Sequence, residues 1–212
     1  MGRFGYVGTF RAAASQLVAG VAEIAVRVVD GAVQVFTATR AGGGLLSFTL
    51  TSTGDGLELV DQQVTDAGTR LSAGPALSIL TYDGTTRLLV TGGYSSALGG
   101  WNLGGDGSMG AGFSLARGPV GVFSAHDQFR LGSTDVIAVV RAGGETIELW
   151  QLGAKSRLAR IGQAELFHDR SDAQGVVALA DVRVGGNLYL LSLSNAEEAL
   201  RVWCISDAGM IT

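Results

Sequence analysis

The sequence predicts an all-β fold, and within it a β-propeller of four four-stranded blades. The first observation is a repeat in which an aromatic residue precedes an aliphatic one by two positions, with spacings of 53, 49 and 53 residues: Phe48/Leu50, Trp101/Leu103, Trp150/Leu152 and Trp203/Ile205. The second is a glycine that lies 28, 27, 29 and 28 residues ahead of each aromatic: Gly20, Gly74, Gly121 and Gly175. The third is the composition, because 33 glycines against 2 prolines fit a fold with many tight turns. A repeat of this length, built from short apolar runs, is typical of stacked four-stranded units.

Each glycine is followed by an apolar or alternating segment that we assign as strand a: Val21–Val29, Ala76–Tyr82, Val122–Phe129 and Val176–Val184. Residues that tolerate positive φ then predict hairpin turns, at Asp30-Gly31, Asp83-Gly84, Gly132-Ser133 and Gly185-Gly186. Strand b follows as nearly continuous apolar runs: Val33–Phe36, Leu88–Val90, Val136–Val140 and Leu188–Leu191. Such runs predict inner strands that are buried on both faces between neighbouring blades.

Strand c carries the aromatic residue, and a second turn separates it from the outer strand d. Strand d begins at Leu57, Met109 and Leu158, whereas the fourth copy reaches only Met210–Thr212. The segment 3–10 alternates like a strand, and its distance to Gly20 matches a strand d plus its connection. We therefore expect one domain, 1–212, with repeats at 20–73, 74–120, 121–174 and 175–212, the last completed by residues 1–19. The alternatives are a piece of a larger propeller, or half of a ring completed by a second copy.

The bulk composition excludes several classes of protein. A net charge of −4 and scattered arginines argue against nucleic-acid binding, which needs clustered basic residues. No uninterrupted apolar stretch approaches about 20 residues, so a membrane span is not expected, and no N-terminal signal peptide is evident. The cellular location stays open. The single cysteine, Cys204, lies in an apolar run and is expected to be a buried, unreactive thiol.

One repeat resembles a known family. The segments Leu88–Tyr94 and Trp101–Gly107 look like the repeat of lactonase-type propellers, which include the phosphogluconolactonase-like proteins. That repeat has a short apolar strand, a polar loop, an aromatic-x-aliphatic strand and an Asp-Gly turn. The resemblance implies the fold. Members of that family have seven blades against the four predicted here, and no position matches their functional residues, so the activity is not carried over.

The connections of a propeller open on two faces, and the loops from d to a and from b to c share the face that we call the first face. The longer, more varied loops lie there, so a protein or small-molecule ligand is expected on that face. The candidate binding residues are Arg40, Arg70, Tyr94, His126, Arg141, His168, Asp169 and Arg170. Guanidinium groups after strand b, at Arg40 and Arg141, favour an anionic ligand. Two histidines are too few for an imidazole-based metal site, and no cofactor is predicted.

The aspartates of the second face, including Asp106, belong to short turn motifs and are expected to serve turn chemistry. No convergent set of nucleophile, base and metal ligand is evident, so catalysis is less expected than binding. The sequence therefore predicts a non-catalytic binding or scaffolding propeller that uses its loop surfaces. The alternatives are a lactonase-like hydrolase, and a fragment or half of a larger propeller that a second copy completes as a homodimer.

Overall fold

The computed structural model describes residues 20–39, 44–54, 56–64, 76–91, 99–115, 118–119, 121–166, 175–195 and 198–212. These residues form fifteen β-strands and one short 3-10 turn at Ala154–Ser156. The strands are β1 (Val21–Val29), β2 (Ala32–Thr39), β3 (Gly44–Leu50), β4 (Leu57–Val64), β5 (Ala76–Tyr82), β6 (Thr85–Thr91), β7 (Gly99–Leu103), β8 (Met109–Ser114), β9 (Phe123–Leu131), β10 (Thr134–Arg141), β11 (Thr146–Gly153), β12 (Arg157–Glu165), β13 (Val176–Val184), β14 (Asn187–Ser194) and β15 (Ala199–Ile205).

The strands form four antiparallel sheets, each a blade whose strands follow one another in chain order. Blade 1 contains β1–β4, blade 2 contains β5–β8, blade 3 contains β9–β12, and blade 4 contains β13–β15. The inner strands of successive blades, β1, β5, β9 and β13, lie against one another. The predicted four-bladed β-propeller is therefore confirmed. The described part of the chain contains no helix that is long and apolar enough to cross a membrane.

The hairpins between the first and second strands of the blades depend on positive backbone φ angles. Asp30 and Gly31 have φ of 49° and 82°, and Asp83 and Gly84 have φ of 50° and 69°. Two successive positive φ values fit the type I′ turn, whose twist matches that of the flanking strands. The Asp-Gly signals in the sequence therefore gave the correct hairpin positions.

The core lies between the blades rather than inside any one of them. The cluster between blades 1 and 2 includes Phe36, Leu88 and Trp101, and the cluster between blades 3 and 4 includes Phe129 and Leu190. A third cluster, between blades 2 and 3, contains Leu80, Leu89, Ile137, Val139, Leu152 and Leu158. The second strands of blades 2 and 3, β6 and β10, alternate their apolar side chains between two such clusters. This explains why strand b reads as continuously apolar.

Polar side chains also join successive blades at the free edge of an inner strand. In blade 2 the main-chain N–H of Thr81 on β5 donates to Asp135 Oδ2 of blade 3 at 2.6 Å. In blade 3 the main-chain oxygen of Arg130 on β9 accepts a hydrogen bond from the Arg183 guanidinium of blade 4. An inner strand pairs with only one neighbour in its own sheet, so these side chains bond main-chain groups at its free edge.

Blade 4 has three named strands, and its outer position begins with residues from the end of the chain. Ile211 forms an isolated antiparallel bridge with Ile205 of β15. Beside it, Cys204 N donates to Thr212 O at 2.7 Å, and Thr212 N donates to Cys204 O at 3.0 Å. The predicted completing strand at residues 3–10 lies outside the described residues and stays a prediction.

Two expectations about blade 4 are wrong. Cys204 is exposed rather than buried. Strand b of this blade, β14, is buried on one face only: Leu188 and Leu190 are buried, whereas Leu193 is 43% exposed. Both errors have one cause. The side of this sheet that points away from blade 3 has no neighbouring blade among the described residues to cover it.

Candidate binding site between blades 2 and 3

A nearly buried carboxylate lies on the face of blade 3 that packs against blade 2. The Glu148 side chain is 8% exposed, and its Oε2 accepts hydrogen bonds from Arg141 Nη2 at 3.1 Å and from the indole Nε1 of Trp150 at 2.9 Å. Its Oε1 lies 3.6 Å from Arg160 Nη1. We call these four residues the Glu148 cluster. A carboxylate buried to this degree needs such compensation, because an unpaired buried charge is strongly destabilising.

The register of blade 3 brings these side chains together. Glu148 and Trp150 are two positions apart on β11, so they point to the same face. A β-bulge between Leu149 and Trp150 shifts the pairing with β12, so that Trp150 lies opposite Arg160. A second irregularity, between Val140 and Arg141, shifts the pairing of β10 with β9 and changes the direction of the Arg141 side chain. Bulges commonly redirect a side chain in this way, and here two of them serve one cluster.

Of the predicted binding residues, the described part of the chain contains His126 and Arg141. His126 lies on β9 opposite Val139, which in turn lies opposite Glu148 on β11. The three side chains share a face, but His126 and Glu148 are two strand spacings apart, or about 10 Å. Arg141 therefore belongs to the Glu148 cluster, and His126 does not. The other predicted residues lie outside the described residues: Arg40, Arg70, Tyr94, His168, Asp169 and Arg170.

Blade 2 contributes buried hydroxyl groups to the same interface. Ser78 is two positions from Leu80 on β5, and Thr91 is two positions from Leu89 on β6, so both hydroxyl groups lie on the side that faces blade 3. Both residues are fully buried. Among the described residues, neither hydroxyl oxygen has a hydrogen-bond partner. Buried hydroxyls without partners are uncommon, so this interface has polar groups available beyond its apolar packing.

A pair of carboxylates lies on the opposite side of blade 3. Asp127 of β9 and Asp181 of β13 face each other across the junction of blades 3 and 4. Burial raises the pKa of Asp127, and the negative charge of Asp181 raises it further. The hydrogen bond that Asp127 Oδ1 accepts from Gln128 N at 2.8 Å acts in the opposite direction. In the described part of the chain, no group of three or more histidine, cysteine, aspartate or glutamate side chains is placed to hold a metal ion.

The glycine-rich turn at 104–107 joins blades 1 and 2 on the second face. Gln34 Nε2 donates to Gly105 O at 2.6 Å, Ser47 Oγ donates to Gly107 O at 2.7 Å, and the Arg27 guanidinium donates to Gly104 O. The turn therefore links blades 1 and 2 through its main-chain oxygens.

The expected turn role of Asp106 is confirmed. Its Oδ1 accepts hydrogen bonds from Ser108 Oγ at 2.6 Å and from Ser108 N at 2.9 Å. These bonds lower the pKa of the Asp106 carboxyl, and the charge of Arg27 lowers it further. The carboxylate therefore closes its own turn, as aspartate commonly does in this position.

A cleft of about 630 Å³ lies at the second-face end of blade 1. The turn of Gly31 and the segment 49–54, rich in serine and threonine, line it together with Glu58. Sequence analysis did not identify this cleft. It also did not identify Glu148, although an acidic residue between the apolar Ile147 and Leu149 was a usable signal for that residue, if not for its partners.

Solved structures of low sequence identity share the fold. The exo-beta-1,3-galactanase from Phanerochaete chrysosporium, in a structure with galactose, matches with a TM-score of 0.58 at 10% identity, over 92% of this chain and 49% of that chain. A protein from Lactobacillus plantarum, a lactonase-like propeller, matches with a TM-score of 0.50 at 15% identity, over 84% of this chain and 52% of that chain. This chain thus spans about half the length of both.

These likenesses confirm the resemblance to lactonase-type propellers at the level of the fold alone. A scan against protein-family models found no match, and a search of the curated proteins found none either.

Proposed function

We propose that this protein is a non-catalytic binding module that takes a small carboxylate ligand at the Glu148 cluster. One observation carries the proposal: two half-exposed guanidinium groups are fixed on a single buried carboxylate. The side chains of Arg141 and Arg160 are 39% and 48% exposed, whereas that of Glu148 is 8% exposed. The Glu148 carboxylate is therefore nearly buried, and the two guanidinium groups that it holds remain accessible to solvent.

The charge balance of the cluster favours an anion. Within the cluster, two guanidinium groups face one carboxylate. Guanidinium has five N–H donors in a planar fork that matches a carboxylate, so one such group can bind Glu148 and a ligand together. Glu145 and Glu165 are exposed at the adjacent strand ends. Solvent screens their charges, so they reduce the attraction of the cluster without cancelling it.

The separation of the titratable groups supports binding rather than catalysis. A general base must lie within about 3 Å of the proton that it removes, or reach it through one water molecule. The strands that carry His126 and Glu148 are about 10 Å apart across Val139, and the Glu148 oxygens are engaged by Arg141 and Arg160 instead. Glu148 itself is already engaged by Arg141 and Trp150, and its role is to position the arginines.

Direct titration with citrate, a compact ligand with three carboxylates, tests the proposal. Calorimetry should detect binding that weakens as salt is added, and glucose should not bind. Arg141→Gln and Arg160→Gln should each weaken citrate binding by about tenfold, the equivalent of one charge-assisted hydrogen bond. Arg157→Gln is the matched control, because Arg157 is an exposed arginine on the same strand outside the cluster. Equal effects of Arg157→Gln and Arg160→Gln would contradict the proposed site.

The competing hydrolase hypothesis has its own experiment. The protein is incubated with a panel of lactones, with and without divalent metal, and the hydroxy acid product is measured. We expect no product above that of buffer alone. Product formation that His126→Gln abolishes would contradict the proposal and favour a lactonase-like hydrolase.

A further inference from the structure

The outer surface of blade 4 is an apolar sheet face that is open to solvent. Its cross-strand rows are Ala178/Leu193/Leu200, Ala180/Leu191/Val202 and Val182/Tyr189/Cys204. Leu200 is 61% exposed, Val202 is 59% exposed, and Val184 at the end of β13 is 60% exposed. These rows contain no charged side chain. We call this surface the blade 4 face.

The other side of the same sheet shows what such a face normally contacts. Leu188, Leu190 and Ile205 are at most 4% exposed and pack against blade 3. Both sides of the sheet thus have the composition of a blade interface, but only one side has a blade against it. Exposed apolar surfaces of this kind usually mark an interaction site.

Blade 1 has the complementary feature at the opposite end of the row of blades. Ile24, Val26 and Val28 alternate along one side of β1 and are 55%, 56% and 66% exposed. Val26 begins a cross-strand row that continues through Val35 and Phe48 to Leu59. Leu59 is 41% exposed, whereas Phe48 is 8% exposed, so the open part of this face lies along β1 and at Leu59. This row also lacks charge. We call this surface the blade 1 face.

We propose that two copies of this chain close into one eight-bladed ring, in which the blade 1 face of each copy packs on the blade 4 face of the other. A two-fold arrangement covers both open faces of both chains and leaves no end. Eight blades lie within the usual range of about 4–8 for propellers. About half of each matched solved propeller chain lies outside the part that this chain covers.

The area is that of a small protein interface. The blade 4 face, three strands by seven residues, measures roughly 14 Å by 23 Å, or roughly 330 Å², and the open strip of the blade 1 face along β1 measures roughly 110 Å². A closed pair buries two of each, roughly 900 Å² in total, which lies at the low end of specific interfaces. The Glu148 cluster lies between blades 2 and 3, away from both ends, so the assembly and the ligand site can be tested independently.

Mass measurement by light scattering on the wild-type chain should give twice the 21.8 kDa of one copy. Val26→Glu on the blade 1 face and Val202→Glu on the blade 4 face should each give a monomer, because either charge disrupts both junctions of the ring. Ala159→Glu is the matched control: Ala159 is exposed on β12 of blade 3, outside both faces, so this variant should remain a dimer. Circular dichroism establishes that each variant is folded.

The pairing itself is also tested. A dimer that survives Val26→Glu but not Val202→Glu would mean that two blade 4 faces meet, which overturns the ring, and so would a monomeric wild-type chain. Cys204 gives a measurement on the unaltered protein, because its thiol lies on the blade 4 face. Its reaction with a maleimide should be slow at high protein concentration and at least tenfold faster after dilution to monomer. A rate independent of concentration would overturn the proposal.

Discussion

Gln128 forms both hydrogen bonds of its side-chain amide with the main chain of a single residue, Ile79. Ile79 N donates to Gln128 Oε1 at 2.6 Å, and Gln128 Nε2 donates to Ile79 O. The two residues belong to the inner strands of blades 3 and 2. The amide thus bonds Ile79 as a residue of a neighbouring strand would, at the edge of β5 where no strand pairs.

We expect Gln128→Ala to lower the free energy of unfolding by about 1–3 kcal/mol, because it leaves the N–H and C=O of Ile79 without partners. Gln163→Ala is the control, since Gln163 is exposed on the outer strand of the same blade, and it should change stability by less than about 0.5 kcal/mol. Urea denaturation measures both. Equal losses would show that the bond to Ile79 contributes no stability of its own.

Two tryptophans allow the Glu148 cluster to be tested by a matched substitution. Trp150 Nε1 donates to a carboxylate, whereas Trp203 Nε1 donates to the neutral Ser192 hydroxyl, both at 2.9 Å. Replacement by phenylalanine retains much of the ring packing and removes the donor. Trp150→Phe should cost about 1.5–3 kcal/mol and Trp203→Phe about 0.5–1.5 kcal/mol, because hydrogen bonds to charged groups are stronger. Thermal unfolding in which Trp203→Phe is the more harmful change would contradict this.

The raised pKa of Asp127 has a defined effect on stability. The folded state binds the proton of this carboxyl more tightly than the unfolded state does. Its favourable contribution is therefore complete below the unfolded pKa of about 3.9 and is lost as the pH rises through the higher folded value. At neutral pH the ionised carboxylate is destabilising, so Asp127→Asn should raise the Tm at pH 7 and have a smaller effect near pH 3.

The origin of that effect can be separated by a double substitution. Asp181→Asn removes the like charge that faces Asp127, so it should also raise the Tm at pH 7. The gain of the double variant should be smaller than the sum of the single gains, because either change alone relieves the repulsion. Strict additivity would leave burial as the only cause of the raised pKa.

We expect alanine substitution to cost different amounts of stability at two glycines of the turn at 104–107. Gly107 has a φ of +94°, and a Cβ there would lie 3.1 Å from Ser47 Oγ and 3.2 Å from Gln34 Cδ. Gly105 has open space around its Cβ position. Gly107→Ala should therefore cost about 1–3 kcal/mol through backbone strain and crowding, and Gly105→Ala less than about 0.5 kcal/mol. Chemical denaturation of the two variants decides the matter.

The sequence predicted the strands well because their signals are local. Strand a was predicted at Val21–Val29, Ala76–Tyr82 and Val176–Val184, and the structure has the same bounds. The strand predicted at Val122–Phe129 is Phe123–Leu131, because it continues to the turn at Gly132. Asp-Gly turns and residue alternation depend only on nearby residues, so one sequence suffices to read them. The predicted start of the third strand d, at Leu158, is one residue late.

The candidate site was harder to predict because it depends on register. Arg141 was identified from its position after a strand, but Glu148 was not, since its partners are set by two β-bulges that leave no clear sequence signal. Cys204 was placed in the core because its neighbours are apolar. Whether an apolar face is covered depends on which surface lies opposite, and a strand pattern does not contain that information.

The hydrogen bonds from one blade to the inner strand of the preceding one affect how the protein folds. Thr81 in blade 2 obtains its partner from blade 3, and Arg130 in blade 3 obtains its partner from blade 4. In a blade that leaves the ribosome first, these main-chain groups therefore bond water until the next blade is synthesised. Long-range dependence of this kind favours a slow, cooperative transition, with the described blades gaining and losing their structure together.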